Sequence, residues 1–159
     1  MVNEMDFEKA IQIVLKNEGG YSNNPSDPGK ETNFGISRKQ YPRLDIRGLT
    51  INKAREIYFY DYWIPSKAGY LPDKLRLIYF DMAVLHGIRA AVVILQRAIR
   101  SKGCNIRIDG VIGDQTLALA TRLEPERLRA YRVKRLADIA RRPSLEKFWY
   151  GWFRRAIKV

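Results

Sequence analysis

The sequence predicts a mainly α-helical protein with a small irregular or β-hairpin element near residues 21–36. Apolar residues recur at intervals of three and four along most of the chain, which is the spacing of one helix face. Glycines and prolines fall between those periodic segments, where helices end. Only residues 21–35, YSNNPSDPGKETNFG, break the pattern at length, with two prolines, two glycines and several Asn and Asp residues that favour turns over helix.

Phe7, Ala10, Ile11, Val14 and Leu15 form the first apolar stripe, behind Asp6 as a candidate cap, and Gly19 and Gly20 end it. A short hairpin is expected through Thr32 to Ile36. A second helix is expected over residues 50–63, with Pro65 as its stop. A third, over residues 73–86, turns Leu75, Ile78, Met82 and Leu85 inward and closes at Gly87. The next, over residues 89–102, is apolar over much of its circumference, as expected of a central buried helix. Asp114 is the candidate cap of a helix over 115–123, and another follows over 126–142. Past Pro143 and the candidate cap Ser144, a last stripe of Leu145, Phe148, Trp149, Trp152, Phe153 and Ala156 is expected to close the core, the other reading being a membrane-active segment.

At 159 residues the chain suits one compact domain or two small lobes, and 46% apolar with 29% charged residues excludes a disordered or coiled-coil protein. No apolar run reaches the about 18 residues needed to span a bilayer. The acidic start, Asn3-Glu4-Met5-Asp6, does not read as a secretory signal, so any work outside the cytosol requires a separate export route. One cysteine, Cys104, and one histidine, His86, exclude a Cys/His zinc cage; neither metal nor organic cofactor is expected. The net charge of +12 is lopsided: residues 1–85 carry 12 basic and 11 acidic side chains (+1), and residues 86–159 carry 17 and 6 (+11). Such a field attracts polyanions, and nucleic acid, anionic lipid and an anionic cell-envelope surface would all feel it. Nucleic acid is not expected, because the basic residues spread over several helices without a recognised binding motif.

With no Cys/His metal cage, no local Ser/His or Cys/His signature and no glycine-rich phosphate cradle, the candidates left for chemistry are carboxylates. Glu18 sits at the end of the first helix, where the helix dipole disfavours a negative charge, and two glycines follow that let a ligand approach. A lone Glu-Gly-Gly is also an ordinary helix ending. Asp27 comes nine residues later in a polar turn, and Thr32 five beyond it. An acid at a helix end, an aspartate in a loop and a threonine entering a strand are able together to protonate a glycosidic oxygen and hold a water on the opposite sugar face. As simple turn and strand formers, Asp27 and Thr32 would look the same.

The segment from Glu18 to Ile36, EGGYSNNPSDPGKETNFGI, resembles the signature of the glycoside hydrolase family 108 N-acetylmuramidases. The likeness continues through Ile57-Tyr58-x-x-Asp61-Tyr62-Trp63 and Phe80-Asp81-Met82-Ala83. Leu95-Gln96, Asp109-Gly110-Val111-Ile112-Gly113-x-x-Thr116 and Gly151-Trp152 resemble the peptidoglycan-binding region that follows in that family. Lys30 departs from the pattern at the second glycine of the turn, as does Leu85-His86-Gly87 where Asn-x-Gly is expected. Asp81, alone on an apolar helix, is a candidate buried partner for an arginine or a backbone amide.

The resemblance implies a lysozyme-like helical fold, with a catalytic region over residues 1–88 and a peptidoglycan-binding region over 89–159. It also implies cleavage of the β-1,4 bond between N-acetylmuramic acid and N-acetylglucosamine, with Glu18 as acid, Asp27 as base and Thr32 positioning water. Tyr21 and Phe34 flank these residues and, with Asn33, are the expected substrate contacts; Tyr58 and Tyr62 are expected in the core. Bacterial peptidoglycan is the implied partner of a monomeric enzyme, of phage endolysin type or a secreted effector. Such an enzyme is made in a bacterial host cytoplasm and acts in the periplasm or cell wall. A non-catalytic cationic cell-wall or nucleic-acid binder is the alternative from another class.

Overall fold

The structure, a computed structural model, describes residues 4–23, 31–142, 145 and 148–159. They form two compact units that divide between Asp61 and Tyr62. No helix among the described residues is long and apolar enough to cross a membrane.

The first unit opens with α1, Glu4–Glu18, which buries Phe7, Ala10, Ile11 and Val14 as their spacing requires. The helix starts before Asp6, so that residue does not cap it. Asp6 lies instead near the positive end of the helix dipole, where a carboxylate is favourable. The expected hairpin is part of an antiparallel sheet of three short strands, β1 (Ser22–Asn23), β2 (Glu31–Asn33) and β3 (Ile36–Ser37), in the order β1-β2-β3. Thr32 pairs with Ser22 on one side and Ser37 on the other.

Between β2 and β3 the chain reverses on two residues, Phe34 at φ +50° and Gly35 at φ +78°. Positive φ at both positions is what a type I′ hairpin turn demands. Glycine adopts it freely, whereas Phe34 does so against a strain of about 1–2 kcal/mol. Ile46 and Leu49 of the following loop are buried, and their carbonyls accept hydrogen bonds from the Asn33 amide at 3.1 and 3.5 Å.

Helix α2, Ile51–Tyr58, is capped by Thr50, whose hydroxyl accepts the Lys53 amide at 3.2 Å. Pro65 does not stop the helical path. The chain continues through a π-helical turn, Phe59–Trp63, into α3 (Ile64–Ser66) and a 3₁₀ turn (Ala68–Tyr70). Pro65 lies in the first turn of α3, where a missing N–H removes no helical bond. Helical geometry breaks at Lys67, at φ +53°.

The second unit is built from α4 (Asp73–His86), α5 (Ile88–Arg100), α6 (Asp114–Ala120), α7 (Pro125–Ala140) and α8 (Trp149–Lys158). Helix α5 is central, as its apolar circumference predicts, and packs against α4, α6 and α7. Helix α6 begins at Asp114 itself, with Gly113 in the cap position and no side-chain cap bond, so the expected Asp114 cap is absent. Ser144 lies outside the described residues.

Gln96 organises the loop between α5 and α6. Its amide nitrogen donates to Asp109 at 2.8 Å and to the Val111 carbonyl at 3.0 Å, while its oxygen accepts the amides of Asp109 and Gly110 at 3.1 and 3.0 Å.

Asp81 is fully buried on α4, as is its ion-pair partner Arg132 on α7; Arg155 on α8 makes a forked contact to the same carboxylate at 2.7–3.1 Å. The pull of Arg155 toward Asp81 fixes the rotation of α8. Its inward stripe is Trp152, Arg155, Ala156 and Val159, while Phe148 and Trp149 stay 44% and 48% exposed. The expectation that the whole aromatic stripe closes the core is corrected accordingly.

Removing the Asp81 carboxylate strands a buried guanidinium. Asp81→Ala should therefore lower the unfolding free energy by about 3–5 kcal/mol. Arg155→Ala should cost less, because Asp81 still neutralises Arg132. Urea titrations followed by circular dichroism read both, and equal losses would show that Arg132 does not depend on Asp81.

Candidate active site

Glu18 is the last residue of α1, and its half-buried carboxylate rests against the hairpin turn. A Cβ added at Gly35 would lie 2.5 Å from Glu18 Oε2 and 2.6 Å from the Tyr58 hydroxyl. The turn therefore approaches the carboxylate more closely than any side chain permits. Glycine at position 35 serves two demands at once, positive φ and the absence of a Cβ. Tyr58, reaching up from α2, donates its hydroxyl to the Phe34 carbonyl at 2.8 Å and so ties the turn to that helix. The acid, the turn and the phenol thus converge on one point at the end of α1.

Thr32 is half-buried in the middle of β2, and strand alternation points it to the face opposite Glu31 and Asn33. Asn33 is only 6% exposed, and its amide nitrogen is committed to the Ile46 and Leu49 carbonyls. Asn33 thereby ties β2 to the loop that follows the sheet. Phe34 is half-buried at the turn. Asp27 and Lys30 lie outside the described residues.

Glu31, the neighbouring carboxylate, is engaged. Arg38 donates to it through Nε at 3.0 Å and Nη2 at 2.5 Å, and the Tyr21 hydroxyl donates at 3.0 Å. The Arg38 hydrogen bonds foremost, then that from Tyr21, hold its carboxyl below the usual glutamate range. Such a group stays ionised and is already saturated with donors, which suits anchoring a strand better than moving protons. The exposed ring of Tyr21 is accordingly fixed by its hydroxyl at the rim of the sheet.

Beside Gly19, Gly20 and Phe34 opens a groove of about 440 Å³, lined also by Leu15, Lys16 and Ile51. It shares Gln12 and Arg55 with a larger cavity of about 770 Å³ that passes Phe59 and Tyr60. Neither holds Glu18 itself, so volume alone does not mark the site.

Two residues escape the sequence reading. Tyr58 is 2% exposed and belongs to the core as its helical spacing predicts, yet its hydroxyl ends at the site. Gly35 carries a signal in hindsight, since Phe-Gly between two short strands is where a two-residue turn places positive φ. Asp61 lies in the π-helical turn and accepts the Tyr41 hydroxyl at 2.7 Å. His86 ends α4; burial pushes its pKa down to about 4, with Arg132 and Arg135 adding to the effect, so it is neutral near pH 7.

A comparison with curated proteins finds no match. The family model described as "Glycosyl hydrolase 108" matches residues 11–87, and the one described as "Predicted Peptidoglycan domain" matches residues 90–157. Among solved structures, the chain is similar to SagA of Brucella abortus at 30% identity and a TM-score of 0.81, over 98% of this chain and 92% of that one. The carboxylate at the end of α1, the sheet and the helical region thus occur in a chain that is related along nearly its whole length, and this chain belongs to the glycosyl hydrolase 108 family, glycoside hydrolases acting on peptidoglycan.

Proposed function

We propose that the enzyme cleaves the β-1,4 bond between N-acetylmuramic acid and N-acetylglucosamine, with Glu18 as the general acid. The observation that carries this reading is the seat of Glu18, whose carboxylate rests against the hairpin turn at Gly35, a position with no room for a Cβ. A fixed carboxyl group within reach of open space is what protonation of a leaving oxygen requires. Asp27 completes the pair by orienting or deprotonating water, and Thr32 helps to position that water. A separation of about 6.5–9.5 Å between the carboxyls would give an inverted product, and about 5 Å a covalent intermediate. Residues 1–88 then carry the chemistry and residues 89–159 hold the polymer. The +11 half suits an endolysin-type monomer, made in a bacterial cytoplasm and retained on an anionic envelope.

Glu18→Gln matches the native side chain in shape but has no proton to give. Its clearing of peptidoglycan in zymograms should fall at least about a hundredfold with the fold intact. Retention of more than about a tenth of wild-type clearing would remove Glu18 from the acid role.

Gly35→Ala tests the clamp. The added Cβ must push the Glu18 carboxylate or the Tyr58 hydroxyl aside, so turnover should drop more than about tenfold, as expected for a misplaced reacting group. Thermal unfolding should show only the modest loss expected of positive φ, about 1–2 kcal/mol. Full activity in this variant would show that the clamp does not matter.

The basic half predicts a salt effect that depends on substrate. Attraction to whole walls is screened, with a Debye length of about 8 Å at physiological ionic strength. Turnover of intact walls should fall steeply as salt rises, while turnover of a short neutral glycan changes little. Equal sensitivity for both substrates would contradict the retention role.

A further inference from the structure

A cavity of about 460 Å³ opens where α4 hands over to α5, lined by His86, Arg89, Arg97 and Arg135 with an apolar floor that includes Val93 and Ile94. Arg89 and Arg97 sit two turns apart on one side of α5, with Val93 between them, and Arg135 reaches in from α7. No acidic side chain lines the cavity, and none of the three guanidinium groups forms an ion pair among the described residues. Helix α5 starts from Gly87, which has no side chain to cap it, and has no acid in its first turn.

Three exposed arginines thus rim one cavity that has no acidic side chain among its lining residues, an arrangement suited to an anion. Arg89 is also held in place. A Cβ at Gly110, which has φ +74°, would meet Arg89 Cγ at 2.8 Å, so the stem of Arg89 lies directly on that α-carbon. The loop built around Gln96 thereby positions an arginine of the cavity.

We propose that this cavity is a carboxylate-binding site for the stem peptide of peptidoglycan. The inference rests on the peptidoglycan reading above and deepens it, since residues 90–157 match the peptidoglycan domain and Arg97 and Arg135 fall within that match. The glycan backbone itself is neutral, and the fixed negative charges of the polymer are the peptide carboxylates. A guanidinium binds a carboxylate through two parallel N–H bonds, and the floor of Val93 and Ile94 accommodates the methyl groups of alanine residues. Contact with the peptide at this site and cleavage of the glycan by the first unit would be separate functions of the chain.

The test uses a free stem tetrapeptide, which contains no glycosidic bond and so reports on the cavity whether or not Glu18 is the acid. Titration calorimetry of the wild-type protein should show binding that is lost when every carboxylate of the peptide is converted to carboxamide. Arg97→Gln combined with Arg135→Gln should weaken binding at least tenfold. Unfolding temperature and turnover of glycan strands stripped of their peptides should stay at wild-type values, because neither side chain is buried or paired. Unchanged affinity in the double variant, or equal binding of the carboxamide peptide, would overturn the proposal. Tighter, equally arginine-dependent binding of a poly(glycerol phosphate) chain would also overturn it, in favour of a phosphate polymer.

Discussion

Asp81 sets much of the geometry of the helical unit, because one carboxylate withdrawn from water must be met by cations that arrive from other helices. Arg132 comes from α7 and Arg155 from α8, so a single buried charge fixes how three helices are rotated. A hydrophobic contact in that place would tolerate a helix turned by some tens of degrees; a forked guanidinium contact does not. Once Arg155 points inward, Tyr150 and Ile157 on the other side of α8 face outward.

The first unit relies on closeness instead of charge. Its site is shaped by a turn whose two residues both need positive φ, one of them a phenylalanine. The strain at Phe34 is held by the Tyr58 hydroxyl on its carbonyl and by the pairing of β2 with β3. Strain of this kind persists only where the surroundings over-determine it, and here they do so directly beside a carboxylate. The adjoining Glu31 is neutralised by Arg38, so the two glutamates near the sheet occupy chemically different settings.

Helices were legible in the sequence wherever an apolar stripe is buried on one side. The stripes of α1, α4 and α5 gave their extents within a few residues, and Asp81 on an otherwise apolar stretch pointed to a buried partner, an arginine or a backbone amide, of which the fold supplies two arginines. Helix ends were less legible, because Asp6 and Asp114 are as favourable inside a first turn as in a cap position. Pro65 misled for a related reason, since proline is excluded only from helix interiors. On α8 the amphipathic pattern admitted more than one rotation, and the choice depended on a long-range ion pair that no local window contains. In the site, Glu18 stood out through its glycines, whereas the involvement of Tyr58 depends on a contact 24 residues away in sequence.

Gln96 has a consequence for how the loop between α5 and α6 opens. Residues 104–113 have no strand or helix, and such a stretch ordinarily exchanges its amide protons through small local fluctuations. Here the amides of Asp109 and Gly110 end on the oxygen of a side chain rooted in the central helix, and Val111 bonds to the Asp109 carboxylate at 2.9 Å. Releasing them means detaching the loop from a buried side chain of α5, so the amides of Asp109 and Gly110 should exchange more slowly than those of an unanchored loop.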